Sequence, residues 1–173
     1  MDDSIYEPGE DSYLLKKHIK DYKFKNALDV GCGSGIISKE LSKYGTVTGI
    51  DLNEKAIEFC KKENINGDFI VSDLFSNIKG RFDLITFNAP YLPQDENIND
   101  IALYGGKEGY EVIERFLNSV NKYLNENGKI LLIFTSLSKP DKIKKIIEKN
   151  KLKYKLIDKE HYFFEDIFLY EIY

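Results

Sequence analysis

Four consecutive residues, Asn88, Ala89, Pro90 and Tyr91, place a side-chain amide, a backbone carbonyl, a rigid ring and an aromatic face at the end of the run "FDLITFN" at 82–88. The Asn88 side-chain carbonyl and the Ala89 backbone carbonyl are both hydrogen-bond acceptors, and Tyr91 offers a flat surface. Two acceptors beside a ring suit a planar –NH₂ on a flat group: a carboxamide, an adenine amine or a cytosine amine. The lone pair of such a nitrogen is delocalised and attacks poorly. Holding both N–H bonds fixes the nitrogen for attack and lets it pyramidalise as the new bond forms. No strong base is needed beforehand, because the proton becomes acidic only as the nitrogen gains positive charge. Taken alone, the same residues would equally end a strand at Pro90 and bury Tyr91 in a core, so their surroundings decide their meaning.

A second cluster lies upstream. "LDVGCGSGIIS" puts Gly31, Gly33 and Gly35 between an apolar strand and a helix, where missing Cβ atoms let backbone approach a ligand. The spacing is G-x-G-x-G, with Ile36 where a dinucleotide fold would want its third glycine, which disfavours NAD. Asp51, followed by Leu52, ends the next apolar run about 20 residues on, where a carboxylate can accept both hydroxyls of a ribose. It could instead cap the following helix. Asp73 and Leu74 end a third run, in position to lie against an adenine.

The elements that must position these groups alternate along the chain. Strands are expected at 26–31, 46–51, 68–73, 82–88 and 129–135, the last two near-continuous apolar runs as in strands covered on both faces. Helices are expected at 10–20, at 108–124 with Asn127-Gly128 as a stop signal, and at 138–149 with Ser138 as cap and Pro140 in the first turn. The segments "YKLID" and "IFLYEIY" near the C-terminus lack a helix between them and should form an antiparallel hairpin. This alternation is that of an α/β fold with a parallel sheet, and with no repeat or linker the whole of 1–173 is expected to be one domain.

The 173 residues suffice for one sizeable core, and a composition of 42% hydrophobic and 31% charged residues is that of a globular protein. A net charge of −4 argues against broad adhesion to nucleic acid. No apolar run approaches the roughly 18 residues of a membrane helix, and the acidic N-terminus is unlike a signal peptide, so a cytoplasmic location is expected. Cys32 and Cys60 are too few for a disulfide framework or a zinc site and are read as free thiols. His18 and His161 share no ligand spacing and receive no role, and the lysines of 139–155 read as a solvated face.

Loop, Asp51 and Asp73 in register resemble the class I S-adenosylmethionine-dependent methyltransferases. Their fold implies a Rossmann-like sheet of seven mostly parallel strands, the last antiparallel, with helices on both faces. "DVGCGSG" looks like their first motif, and "NAPY" resembles the N-P-P-Y motif of members acting on amide or exocyclic amine nitrogens. Ala89 stands where that motif has its first proline. It keeps the carbonyl but loses the fixed φ, while Pro90 still biases Ala89 away from the helical region.

Two further stretches, "IYEPGEDSYLL" and "LYGGKEGYEVIERF", resemble segments of the HemK-related glutamine methyltransferases of class I release factors, in their short archaeal and eukaryotic form. The resemblance implies that residues 1–25 close over the cofactor. It implies S-adenosylmethionine held by Ser12, Asp29, Gly31, Gly33, Gly35, Asp51, Leu52, Asp73, Leu74 and Asn88, with Asn88, Ala89, Pro90 and Tyr91 at the reacting amide. It further implies a release-factor glutamine as substrate and a small zinc-binding activator protein as a heterodimer partner. Two other readings stay open: methylation of a base amine in RNA or DNA, and a catalytically silent binding partner.

Overall fold

The computed structural model describes residues 5–94 and 104–173; of the segments discussed above, only Met1–Ser4 and Leu103 lie outside them. Its seven strands are β1 (Asn26–Val30), β2 (Thr46–Asp51), β3 (Asp68–Val71), β4 (Phe82–Asn88), β5 (Leu124–Thr135), β6 (Tyr154–His161) and β7 (Asp166–Ile172). They form one sheet in the order β3-β2-β1-β4-β5-β7-β6. The pairs from β3 across to β5 are parallel, and β7 runs antiparallel to both β5 and β6. The order reverses between β1 and β4, which opens a crevice at their C-terminal ends.

Alternate residues of the central strands serve opposite cores. Leu28, Ile85, Phe87, Leu132 and Phe134 pack on one face with α4 (Glu111–Val120) and α5 (Pro140–Lys149). Ala27, Leu84, Leu131 and Ile133 pack on the other with α1 (Glu10–His18) and α2 (Ile36–Leu41). The remaining helix, α3 (Glu54–Lys62), turns Ile57 and Cys60 toward Phe69 and Cys32.

Local hydrogen bonding moves four of the expected boundaries. Helix α4 starts at Glu111 because Gly109 sits at φ 84 and the Glu111 carboxylate accepts from the N–H groups of Glu108 and Tyr110. It ends at Val120, and Asn127-Gly128 belongs to β5, where Asn127 at φ 63 lies in the bulge between the Phe82–Leu124 and Leu84–Lys129 pairs. Ser138 does not cap α5: its hydroxyl bonds Thr135 across a 3-10 turn, and Lys139 in left-handed backbone precedes Pro140. Strand β3 stops at Val71 because the Ser72 hydroxyl donates to the Leu74 carbonyl at 2.7 Å and turns the chain.

Both histidines tie elements together. His18 Nε2 meets Asp158 at 2.8 Å, joining α1 to β6, and His161 Nδ1 meets Asp166 at 2.7 Å where the hairpin closes.

Candidate functional site

A cleft of about 1020 Å³ runs along the C-terminal ends of β1, β2, β3 and β4. Its wall includes every residue singled out from the sequence except one: Ser12, Asp29, Gly31, Gly33, Asp51, Leu52, Asp73, Leu74 and the run Asn88–Tyr91. The exception is Gly35, which lies behind the loop as the N-cap of α2 at φ 76. A Cβ there would strike Ile65 and Cys60, so helix packing rather than ligand approach demands that glycine. Gly31 and Gly33 adopt φ 66 and 47, where a Cβ would meet Phe87 and Tyr6 only at van der Waals distance, so the left-handed backbone rather than crowding calls for glycine, and these two form the cradle.

Asp51 orders the cradle. Its Oδ2 accepts from the Gly33 N–H at 2.9 Å and its Oδ1 from the Asn53 N–H at 2.8 Å, and a carboxylate has acceptor capacity beyond these for a ligand. The capping alternative fails, because the Asn53 side chain accepts from the Lys55 N–H and caps α3 itself. Burial raises the Asp51 pKa against the pull of these backbone bonds. Asp29 is buried deeper, with Ser38 donating to one oxygen at 2.6 Å and Thr86 to the other at 2.9 Å. Desolvation pushes its carboxyl up to about 6 despite those donors. Cys32 and Cys60, far apart in sequence, are buried neighbours with free thiols. Their mutual hydrogen bond and burial push the Cys32 thiol up, so it stays un-ionised.

At the β4 end, the Asn88 amide is aimed by Ser12. Its Nδ2 donates to Ser12 Oγ at 3.3 Å, while its Oδ1 is buried and accepts no hydrogen bond among the described residues. A buried acceptor left unmet costs about 1–3 kcal/mol, so this oxygen is poised for a donor from outside the chain. Ser12 is held in turn by Asp11, a buried carboxylate that accepts from the Ser12 N–H and hydroxyl, from the Tyr6 hydroxyl at 2.7 Å and from the Tyr91 hydroxyl at 3.3 Å. Burial first, then the Asp11 charge, raises the pKa of both tyrosines, so both remain donors.

Sequence reasoning singled out neither Tyr6 nor Asp11 by residue, although both lie in "IYEPGED". It also gave no role to Arg115, whose guanidinium pairs with Asp73 at 2.7 Å across the cleft mouth.

The segment "YGGKEG" is built rather than loose. Gly105 N–H donates to the Leu92 carbonyl at 3.0 Å, and Gln94 N–H donates to the Gly106 carbonyl at 2.9 Å. A Cβ on Gly105 would collide with the Pro90 carbonyl, and one on Gly109 with the Tyr91 carbonyl. The glycines therefore let this segment lie flat on Pro90 and Tyr91, which braces the strand end that Ala89, without a proline ring, leaves freer.

The residues present fit a nucleoside-bearing ligand: a cleft of suitable size, a glycine cradle, a carboxylate with spare lone pairs and an unmet buried acceptor. A family model described as the methyltransferase small domain matches residues 7–163. A Methanocaldococcus jannaschii chain provisionally named a protein N5-glutamine methyltransferase is 41% identical over 145 residues, which is 78% of this chain and 74% of its own. The human methyltransferase HEMK2 is 29% identical over 166 residues, 83% of this chain and 78% of its own. Among solved structures, an E. cuniculi Mtq2-Trm112 complex, described as responsible for methylation of the termination factor eRF1, matches with a TM-score of 0.83. Identity there is 27%, over 98% of both chains.

Proposed function

Since the chain belongs to the methyltransferase small domain family, we propose that it moves a methyl group from S-adenosylmethionine to the side-chain amide nitrogen of a glutamine, in the Gly-Gly-Gln loop of a class I release factor. The observation that carries this reading is the buried, unmet Oδ1 of Asn88, held open by Ser12 at the end of β4. When bound, S-adenosylmethionine supplies an electrophilic methyl on a sulfonium. Asp51 takes the ribose hydroxyls, the Gly31–Gly33 backbone flanks the cradle, and Asp73 with Leu74 borders the adenine.

Asn88 Oδ1 and the Ala89 carbonyl accept the two N–H bonds of the glutamine amide, and Tyr91 lies against its plane. With its N–H bonds held in this way, the amide nitrogen would be aimed at the methyl that the donor supplies and would lose one proton to solvent. Positioning and acceptor electrostatics supply the catalysis, without a strong base. The relatives named for glutamine or termination-factor methylation support the substrate class. A base amine in nucleic acid fits less well, because the chain carries a net charge of −4.

We further propose a small zinc-binding partner on the outer edge of β3, which among the described residues pairs only with β2 and exposes Val71 beside the cofactor end of the cleft. No helix among the described residues is long and apolar enough to cross a membrane, and the proposed role in translation goes with a cytoplasmic location.

The test is mass spectrometry of release-factor peptides after incubation with this protein and S-adenosylmethionine, with and without such a partner. One added methyl on the Gly-Gly-Gln glutamine is expected. Its absence in both arms, with donor binding demonstrated, overturns the assignment.

A further inference from the structure

The turn between β6 and β7 carries groups for which neither the donor site nor the acceptor site has a use. Phe163 and Phe164 are 90% and 85% exposed, and their rings meet edge to face with centroids 4.6 Å apart. Beside them, Glu165 Oε2 is buried and accepts no hydrogen bond among the described residues. The turn is anchored: Tyr162 N–H donates to the Glu165 carbonyl at 2.8 Å, and Asp166 N–H donates to Ser136 Oγ at 3.1 Å. Two adjacent rings held out in water are a typical binding anchor, since aromatic side chains bring much apolar area at little conformational cost.

Strand register locates the turn. Asn88 pairs with Ile133, Ile133 faces Leu169, and Thr135 faces Ile167. The turn therefore leaves the sheet at the same end as Asn88, two strand spacings or about 10 Å to the side. The Glu165 charge acts on Tyr91, and those of Glu10 and Asp11 act on Tyr162, so the turn lies within electrostatic reach of the acceptor end of the cleft. Lys159, the hairpin's positive group here, is paired with Asp166, which also meets His161 Nδ1. The rim left facing the acceptor site is aromatic and acidic.

Resting on the glutamine reading above, the geometry points to this turn as the dock for the protein substrate. Phe163 and Phe164 cover an apolar stretch next to the target glutamine, and Glu165 accepts from a basic side chain in the same segment. The acidic rim selects this occupant: a nucleic acid would bring phosphates to it, and a second copy would bring the same negative charge.

The experiment is steady-state methyl transfer to an intact class I release factor, with wild type, the double variant Phe163→Ala/Phe164→Ala, and Glu165→Gln. Donor affinity is measured by calorimetry and oligomeric state by sedimentation. The double variant is expected to raise KM for the release factor about tenfold or more, leaving kcat within about twofold and donor affinity unchanged. Glu165→Gln is expected to raise KM severalfold and to flatten its dependence on salt. An unchanged KM in both variants, with wild type active, overturns the dock and leaves the glutamine reading standing. A wild-type dimer that the double variant dissolves assigns the rings to self-association and also overturns it. A wild type that binds donor but leaves the release factor unmethylated defeats the glutamine reading, and the dock with it.

Discussion

Replacing Asn88 by alanine should separate catalysis from folding, because the group that matters for one is a burden to the other. Among the described residues Oδ1 of Asn88 is buried without a partner, a desolvation cost of about 1–3 kcal/mol that the variant removes. The variant also forfeits the 3.3 Å bond to Ser12, worth about 0.5–1.5 kcal/mol, and some side-chain packing. These terms offset, so the unfolding free energy should stay within about 1 kcal/mol, or 2–4 °C in Tm for a chain of this size. Transfer behaves otherwise. Deleting one preorganised partner of a developing charge costs about 10²–10³ in rate, and Asn88 supplies one of only two acceptors for the reacting amide. The assay pairs thermal denaturation and calorimetric S-adenosylmethionine binding with single-turnover transfer to the release factor. Turnover within about threefold of wild type would refute the role given to Asn88. Loss of donor binding together with turnover would show that Asn88 serves the donor instead of the amide.

Asp29 gives a pH signature. Its folded pKa of about 6 lies above the ordinary 3.8, so the folded state binds the extra proton, and stability from this group is present below about pH 4 and lost as pH rises through 6. Asp29→Asn should remove up to about 3 kcal/mol of that slope between pH 4 and 7, read as the difference between wild-type and variant urea midpoints; parallel profiles would contradict it. Arg115→Ala should leave Tm nearly unchanged, since both partners of the Arg115–Asp73 pair are about half exposed, yet weaken donor binding severalfold by freeing Asp73; equal calorimetric affinities would speak against this. Gly35→Ala, which meets Ile65 and Cys60 at φ 76, should destabilise by about 2–4 kcal/mol, whereas Gly80→Ala, at φ 89 in open space, should lose only about 1–2. Equal losses in chemical denaturation would show that packing behind the loop is not what requires the glycine.

From the sequence alone, much of the architecture and the chemistry of the strand ends was already determined. Apolar runs alternating with helical periodicity allow few arrangements other than a parallel sheet, and a parallel sheet gathers its strand C-termini at one edge. Gly31, Gly33, Asp51, Asp73 and Asn88 each follow such a run, so their convergence on one cleft could be read without coordinates. Local competition for backbone groups is harder to read, which is why the ends of α4, α5 and β3 moved when Glu111, Thr135 and Ser72 supplied hydrogen bonds of their own.

Only the tertiary structure could join Asp11 to Tyr91, 80 positions away, or reveal that Gly105 is shaped by the Pro90 carbonyl and Gly35 by Cys60. Only it could bring Arg115 to Asp73 and put the turn bearing Phe163 and Phe164 at the same end of the sheet as Asn88. These contacts depend on long-range register and on the volume left between packed elements. A chain written in one dimension records which groups are available, while the distances that turn Ser12 and Asp11 into supports for Asn88 exist only after the sheet has closed around them.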